Sequence, residues 1–224
     1  MLVKIVTDGY KFIISTLSLA IMSSIWFWLG NFMPALYLAI LFLILSIAIT
    51  LFFRDPIRHV RRIYQDGNHI ISPADGTVDL VEYTVRFQNR EWDKISIFLS
   101  IFDVHVNRSP AKGVITEIEY CPGSFRSAIR KSSSQSNECK RIHINTITGH
   151  KVICVQIAGA IARRIVGFTN CVVGQELQAG ERFGMIRFGS RTDLYLPAGK
   201  FKIQCKPGNR VKGGTSLLAE VITS

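Results

Sequence analysis

Three polar spots in this chain are made of residue types that could do chemistry. The first is Gly189-Ser190, which sits between two apolar-alternating runs within residues 184–197. A serine hydroxyl is a weak nucleophile until a base takes its proton. A preceding glycine removes bulk from the carbonyl that such a hydroxyl would attack and permits strained backbone angles there. The pair therefore reads either as a plain hairpin turn or as a peptide bond built to break itself. The second spot is Asp103-Val-His-Val-Asn-Arg-Ser-Pro110. On a strand, Asp103, His105 and Asn107 share one face. That face is either solvated or lines a cleft, where His105 would titrate near neutrality. The third is Ser72-Pro-Ala-Asp-Gly-Thr-Val78, in which Asp75-Gly76 reads first as a turn before a strand. The other histidines carry less: His59 and His69 flank a linker, His143 alternates with Ile142 and Ile144 and is expected to face outward, and His150 follows a glycine in a turn.

The elements that must position these residues fall into two kinds. Residues 12–53 contain no charge and divide at Gly30-Asn-Phe-Met-Pro34 into two apolar stretches, 12–29 and 34–53. Each is roughly the ~20 residues a helix needs to cross a bilayer. Lys4 and Lys11 precede the pair, and Arg54, Arg58, Arg61 and Arg62 follow it. The positive-inside rule then predicts a membrane hairpin with both ends in the cytoplasm. A cleaved signal peptide would need a small-x-small site, and none is obvious. Pro56 ends the membrane portion, and residues 56–69 form a basic linker, either solvated or lying on the membrane surface. From Ile70 onward the apolar period becomes two. Strands are expected over 77–87, 94–106, 114–120, 141–146, 152–157 and 163–166, with a polar serine-rich loop or short helix over 124–137. The glycine-rich remainder reads as short strands and tight turns. The expected architecture is mostly β, α+β overall, with a helical hairpin over 1–55 and a β-rich domain over 70–224.

Totals exclude several classes. Net charge is +11, which favours an acidic partner such as an anionic membrane. The five cysteines show no C-x-x-C spacing, so no structural metal is expected and reduced thiols are the simplest account. No Rossmann or P-loop fingerprint is present. No nucleic-acid partner is expected, because no basic motif interleaved with aromatics accompanies the charge.

In ordered combination these residues are specific. Phe53-Arg-Asp-Pro56, Ser72-Pro-Ala-Asp-Gly76, Asp103 to Pro110, Gly174-Gln-Glu-Leu-Gln-Ala-Gly180 and Phe188-Gly-Ser-Arg191, behind an apolar hairpin, closely resemble the short-form phosphatidylserine decarboxylase proenzymes of bacteria. The resemblance implies that Ser190 attacks the carbonyl of Gly189, that the resulting ester breaks by β-elimination, and that hydrolysis leaves a pyruvoyl group at position 190. It implies a large β chain of residues 1–189 and a small α chain of residues 190–224, held as a heterodimer. It also implies a Schiff base between the pyruvoyl carbonyl and phosphatidylserine, with the pyruvoyl as electron sink while carbon dioxide leaves and phosphatidylethanolamine forms. The implied location is the bacterial inner membrane, with the catalytic domain on its cytoplasmic face.

Such self-cleavage needs a base for the Ser190 proton and an acid for the leaving amide. His105 is the candidate, with Asp75 orienting it or acting as base. The longer family members carry two histidines three residues apart in this segment. Here His105 matches the first, and Arg108 stands at the second. Either His105 serves both steps, or Asp103, Asn107 or Arg108 takes one. Arg191 stands where the longer forms have threonine. Arg108, Arg126, Arg130 and Lys131 are candidates for the substrate phosphate. The competing reading is a non-catalytic, membrane-anchored adaptor. Residues 72–78 and 174–186 also look like parts of a lipoyl-type barrel-sandwich domain.

Overall fold

The computed structural model describes residues 3–123, 137–159, 165–187 and 190–222. It divides into two compact units, Met1–Ile57 and Arg58–Ser224.

In the first unit, β1 (Val3–Ile5) leads into helix α1 (Thr7–Gly30), followed by α2 (Met33–Phe52) and β2 (Arg54–Pro56), which pairs antiparallel with β1. Asn31, in the left-handed conformation, closes the C-terminus of α1, and Pro34 lies in the first turn of α2. The buried positions of the two helices are mostly small: Gly9, Ala20 and Ser23 against Ala35, Ala39 and Ser46. Small residues let the two backbones approach, which is how helices pack in lipid. The remaining faces carry exposed apolar side chains such as Trp28, Leu29, Tyr37 and Ile44. Both helices are long and apolar enough to cross a bilayer.

In the second unit, the 3-10 turn Arg62–Gln65 precedes β3 (His69–Ile71), β4 (Gly76–Phe87), β5 (Arg90–Leu99), β6 (Val106–Arg108) and β7 (Gly113–Cys121). Then come β8 (Cys139–Thr146), β9 (Lys151–Ile157), β10 (Ile165–Gly167), β11 (Glu176–Leu177) and β12 (Arg182–Ile186). The last are β13 (Ser190–Pro197), β14 (Phe201–Ile203), β15 (Arg210–Val211) and β16 (Leu217–Val221). Among the described residues the largest sheet runs β11-β7-β8-β9-β13-β5-β4-β15, all antiparallel. Two smaller sheets, β10-β12-β6 and β14-β16-β3, complete the unit. The architecture is β-rich α+β with an apolar helical hairpin in front, as the residue pattern predicts. One face of the large sheet supplies the main core, including Ile95, Ile97, Leu99, Ile142, Ile144 and Leu194, packed with Phe183, Phe201 and Leu218. The other face carries a smaller cluster of Trp92, Ile153, Val155, Ile157 and Tyr195.

Two expectations are corrected. Residues 94–106 are not one strand: β5 ends at Leu99, and a turn follows before β6. The cause is Asp103. Its carboxylate accepts from the Ser100 amide at 2.9 Å, and its own amide donates to the Ser100 carbonyl at 2.9 Å. That closed turn breaks the alternation, so Asp103, His105 and Asn107 do not share one strand face. His143 does point away from the main core, yet it is buried rather than exposed. Glu117 and Glu119 of β7 flank its ring, and the side chains of Arg141 and Lys151 pair with those carboxylates. The expected loop over 124–137 falls almost wholly outside the described residues. So does residue 163, the start of the strand expected there, whose observed part is Ile165–Gly167.

Candidate active site

Ser190 opens β13, the strand at the middle of the large sheet. It pairs with Leu99, the last residue of β5, and the next residue, Arg191, pairs with Ile157, the last residue of β9. The ends of three strands therefore meet at this position. Ser190 is fully buried, and its Oγ has no hydrogen-bond partner among the described residues. An orphaned buried hydroxyl is rare, because desolvation is then uncompensated. Here it is the atom that self-cleavage would use. Gly189 and Phe188 lie outside the described residues.

His105 arrives from the same end of the sheet. It follows the turn that leaves β5, and it enters β6, whose partner β12 leads back toward Ser190. The Ile186 amide donates to the His105 carbonyl at 3.2 Å. The ring is fully buried, and Nδ1 lies 2.9 Å from the Asp103 carbonyl oxygen. A carbonyl only accepts, so Nδ1 carries the proton and Nε2 keeps the lone pair of the neutral ring. That is the tautomer of a general base working through Nε2.

Behind Ser190 lies a buried polar network. Asn107 Nδ2 donates to Thr192 Oγ1 at 3.0 Å, and Gln156 Nε2 donates to Asn107 Oδ1 at 2.8 Å. This ties β6, β9 and β13 together. Asn107 lies two residues beyond His105, and Thr192 two beyond Ser190. The network needs a close approach at Gly184, where a Cβ would fall 2.7 Å from the Val166 carbonyl oxygen and 3.1 Å from the Gln156 amide nitrogen. Neither Thr192 nor Gln156 carries a sequence signal of its own; both sit in ordinary apolar-alternating strands.

Asp75 and Asp103 form a second, charged layer. Asp75 accepts from Arg58 Nη2 at 2.6 Å and from the Gly213 amide at 2.7 Å. Burial raises its pKa, Arg58 and Gly213 offset this only in part, and the nearby Asp103 charge adds to the rise. Burial acts on Asp103 in the same direction. Hydrogen bonds from Arg210 and the Ser100 amide outweigh it, so the Asp103 carboxyl lies below its ordinary value. Arg210 Nη2 meets Asp103 Oδ1 at 2.6 Å. The His105 ring is thus oriented by the Asp103 carbonyl, while the described bonds of Asp75 hold Arg58 and Gly213. Gly76 belongs to this layer through its backbone: its φ is +157, and a Cβ there would lie 2.2 Å from the Phe98 carbonyl oxygen. The sequence marks Arg58 only as one of the charges after the hairpin and does not mark Arg210, since single arginines in a basic chain give no local signal of a buried partner.

Arg108 is buried and donates to the Gly180 carbonyl at 3.1 Å. Arg126, Arg130 and Lys131 fall outside the described residues. Arg191 is buried on the second sheet face, paired with Asp79 and 3.6 Å from Asp193.

The comparisons with known proteins agree with one another. The family whose model matches is phosphatidylserine decarboxylase, over residues 45–219. A phosphatidylserine decarboxylase proenzyme from Pelagibacter ubique is 41% identical over 222 residues, covering 97% of this chain and 96% of that protein. The proenzyme of that name from Ehrlichia ruminantium (strain Welgevonden) is 47% identical over 190 residues, with 81% and 79% covered. One from Burkholderia ambifaria (strain MC40-6) is 41% identical over 181 residues, with 80% and 82% covered. With a matched family over most of the chain and relatives of that name over 80% of it or more, the chain belongs to the phosphatidylserine decarboxylase family of decarboxylating enzymes.

Proposed function

We propose that this chain cuts itself between Gly189 and Ser190 and then decarboxylates phosphatidylserine with the pyruvoyl group so formed. The observation that carries the reading is the buried Ser190 Oγ, without a hydrogen-bond partner among the described residues, at the strand end that His105 also approaches. His105 Nε2 accepts the Ser190 hydroxyl proton, and the oxygen adds to the Gly189 carbonyl carbon. The C–N bond breaks, the nitrogen takes a proton from the imidazolium, and an ester joins the two halves. Loss of the Ser190 α-proton expels the Gly189 carboxylate, and water then replaces the nitrogen at position 190 as ammonia.

The pyruvoyl group supplies an electron-accepting carbonyl for the substrate amine and for the electron pair released with carbon dioxide. The chain does the rest. The Asn107-Thr192-Gln156 network fixes the backbone that presents position 190. The Asp103 carbonyl holds His105 in one tautomer, so that the same Nε2 can return a proton to the decarboxylated carbon. Arg108, Arg126, Arg130 and Lys131 stand as proposed contacts for the phosphate. The apolar hairpin keeps the enzyme in the bilayer that holds its substrate, and the arginines after α2 favour the cytoplasmic face.

Mass analysis of purified protein under denaturing conditions tests this. Two chains, 1–189 and 190–224, with a carbonyl in place of the serine amine are expected. Ser190→Ala should stay intact and inactive. A single intact wild-type chain that still decarboxylates would sink the proposal.

A further inference from the structure

The turn that breaks β5 from β6 has a second feature. It presents Ile101 and Phe102 to solvent, 50% and 79% exposed, shortly before the fully buried His105. This apolar tip is held firmly. The Ser100–Asp103 turn is closed by two hydrogen bonds, and Asp103 is gripped by Arg210. Arg210 also donates to Thr77 Oγ1, and Thr77 pairs with Phe98 just before the turn.

A basic loop adjoins the turn through the Arg210–Asp103 pair. The loop from Lys206 to Lys212 is tied to the start of β4 by Val78 amide to Asn209 carbonyl and Gly208 amide to Val78 carbonyl bonds, at 2.9 and 2.8 Å. Lys206, Arg210 and Lys212 on this loop are all exposed. The nearby carboxylates are answered internally, Asp103 by Arg210 and Asp75 by Arg58. With Arg210 so engaged, what remains facing outward is the apolar tip and the exposed Lys206 and Lys212 of the adjoining loop.

The geometry points to Ile101–Phe102 as a wedge that enters an anionic lipid surface beside the active site. An apolar tip with a basic loop beside it matches the acyl boundary and phosphates of a bilayer. The unit that bears it begins at Arg58. Arg58 pairs with Asp75 in the same charged layer. This inference rests on the reading that the substrate is a membrane phospholipid. It adds how the site meets that substrate: the wedge sets the entrance at headgroup depth, so a lipid can present its headgroup without leaving the bilayer.

The test uses the full chain with Ile101→Ser and Phe102→Ser together. Decarboxylation is measured on vesicles of phosphatidylserine and phosphatidylglycerol, and on short-chain phosphatidylserine dispersed in detergent. The vesicle rate should fall about tenfold while the dispersed-substrate rate and the cut at residue 189 are retained. In parallel, Phe102→Trp should show added fluorescence, relative to the parent, that lipids brominated near the top of the acyl chain quench. Unchanged rates on both substrates overturn the wedge, as does an equal loss on both, which would place the tip in the site itself. Absence of quenching, or a change in oligomeric state caused by the double substitution, overturns it in favour of solvent or a second copy. If the parent protein decarboxylates neither form, it is the phosphatidylserine reading that fails.

Discussion

At the residue scale, the site depends on where single protons and single hydrogen bonds are placed. His105 has its Nδ1 committed to a carbonyl, so the proton transfer proposed for it would run through Nε2. His105→Ala should lower turnover at least about 100-fold, measured on whatever fraction of the variant has been cut. If processing and turnover both match the parent, the base lies elsewhere. Asn107 acts differently, through position rather than proton transfer. Asn107→Ala leaves the Gln156 amide and the Thr192 hydroxyl without their buried partner. It should cost about 2 kcal/mol in chemical denaturation, read on a Ser190→Ala background so that cutting does not confuse the fit. A loss well under 1 kcal/mol would show that the network contributes little to holding β6 on β13.

At the element scale, the long β-sheet is a device for bringing distant residues to one strand end. β13 is hydrogen-bonded on both sides, to β5 and β9. Residues 190–224 also supply β14, β15 and β16, and Arg210 and the Gly213 amide reach into the charged layer of the other segment. The other face of the sheet holds a titration that has no part in the site. Burial, with Lys151 next, holds the His143 pKa below its ordinary value of 6.5, and Glu117 and Glu119 oppose this only in part. The unfolded chain then binds the proton more readily than the folded one, so stability rises with pH through the window below about 6.5 and falls on acidification. Urea midpoints between about pH 5 and 7 should show that slope, and His143→Gln should flatten it. An unchanged slope would assign the effect to other groups.

Much of this scale was legible in the residue pattern. Alternation found β4, β7, β8 and β9 to within a residue or two, and the uncharged run found both helices. What periodicity misses is long-range closure. The turn at Ser100–Asp103 is made by one side chain folding back on a local amide, inside a run that otherwise reads as continuous strand. The carboxylates that flank His143 come from β7, and Lys151, which pairs with one of them, from β9, neither of which a local window contains. Thr192, Gln156 and Arg210 likewise gain their meaning from partners dozens of residues away, and Arg58 from one 17 residues on.

At the scale of the whole molecule, the central place of β13 sets a further condition. The bond proposed to break lies just before a strand that must already be seated between β5 and β9 for Ser190 to be buried there. Folding therefore has to precede cutting. A single chain finds that arrangement because residues 190–224 are tethered to the rest. After the cut, the same arrangement would require two separate chains to meet, and the smaller one to slot into the interior of a sheet. Uncut Ser190→Ala protein should thus recover its native spectrum after dilution from denaturant, whereas the processed enzyme should not. Equal recovery of both would show that the tether is dispensable. If the proposed cut is made, the bond between residues 189 and 190 serves as a folding scaffold that is used once and discarded. The working lifetime of the cut enzyme would then be governed by how slowly it opens, a kinetic quantity, rather than by an equilibrium to which it can return.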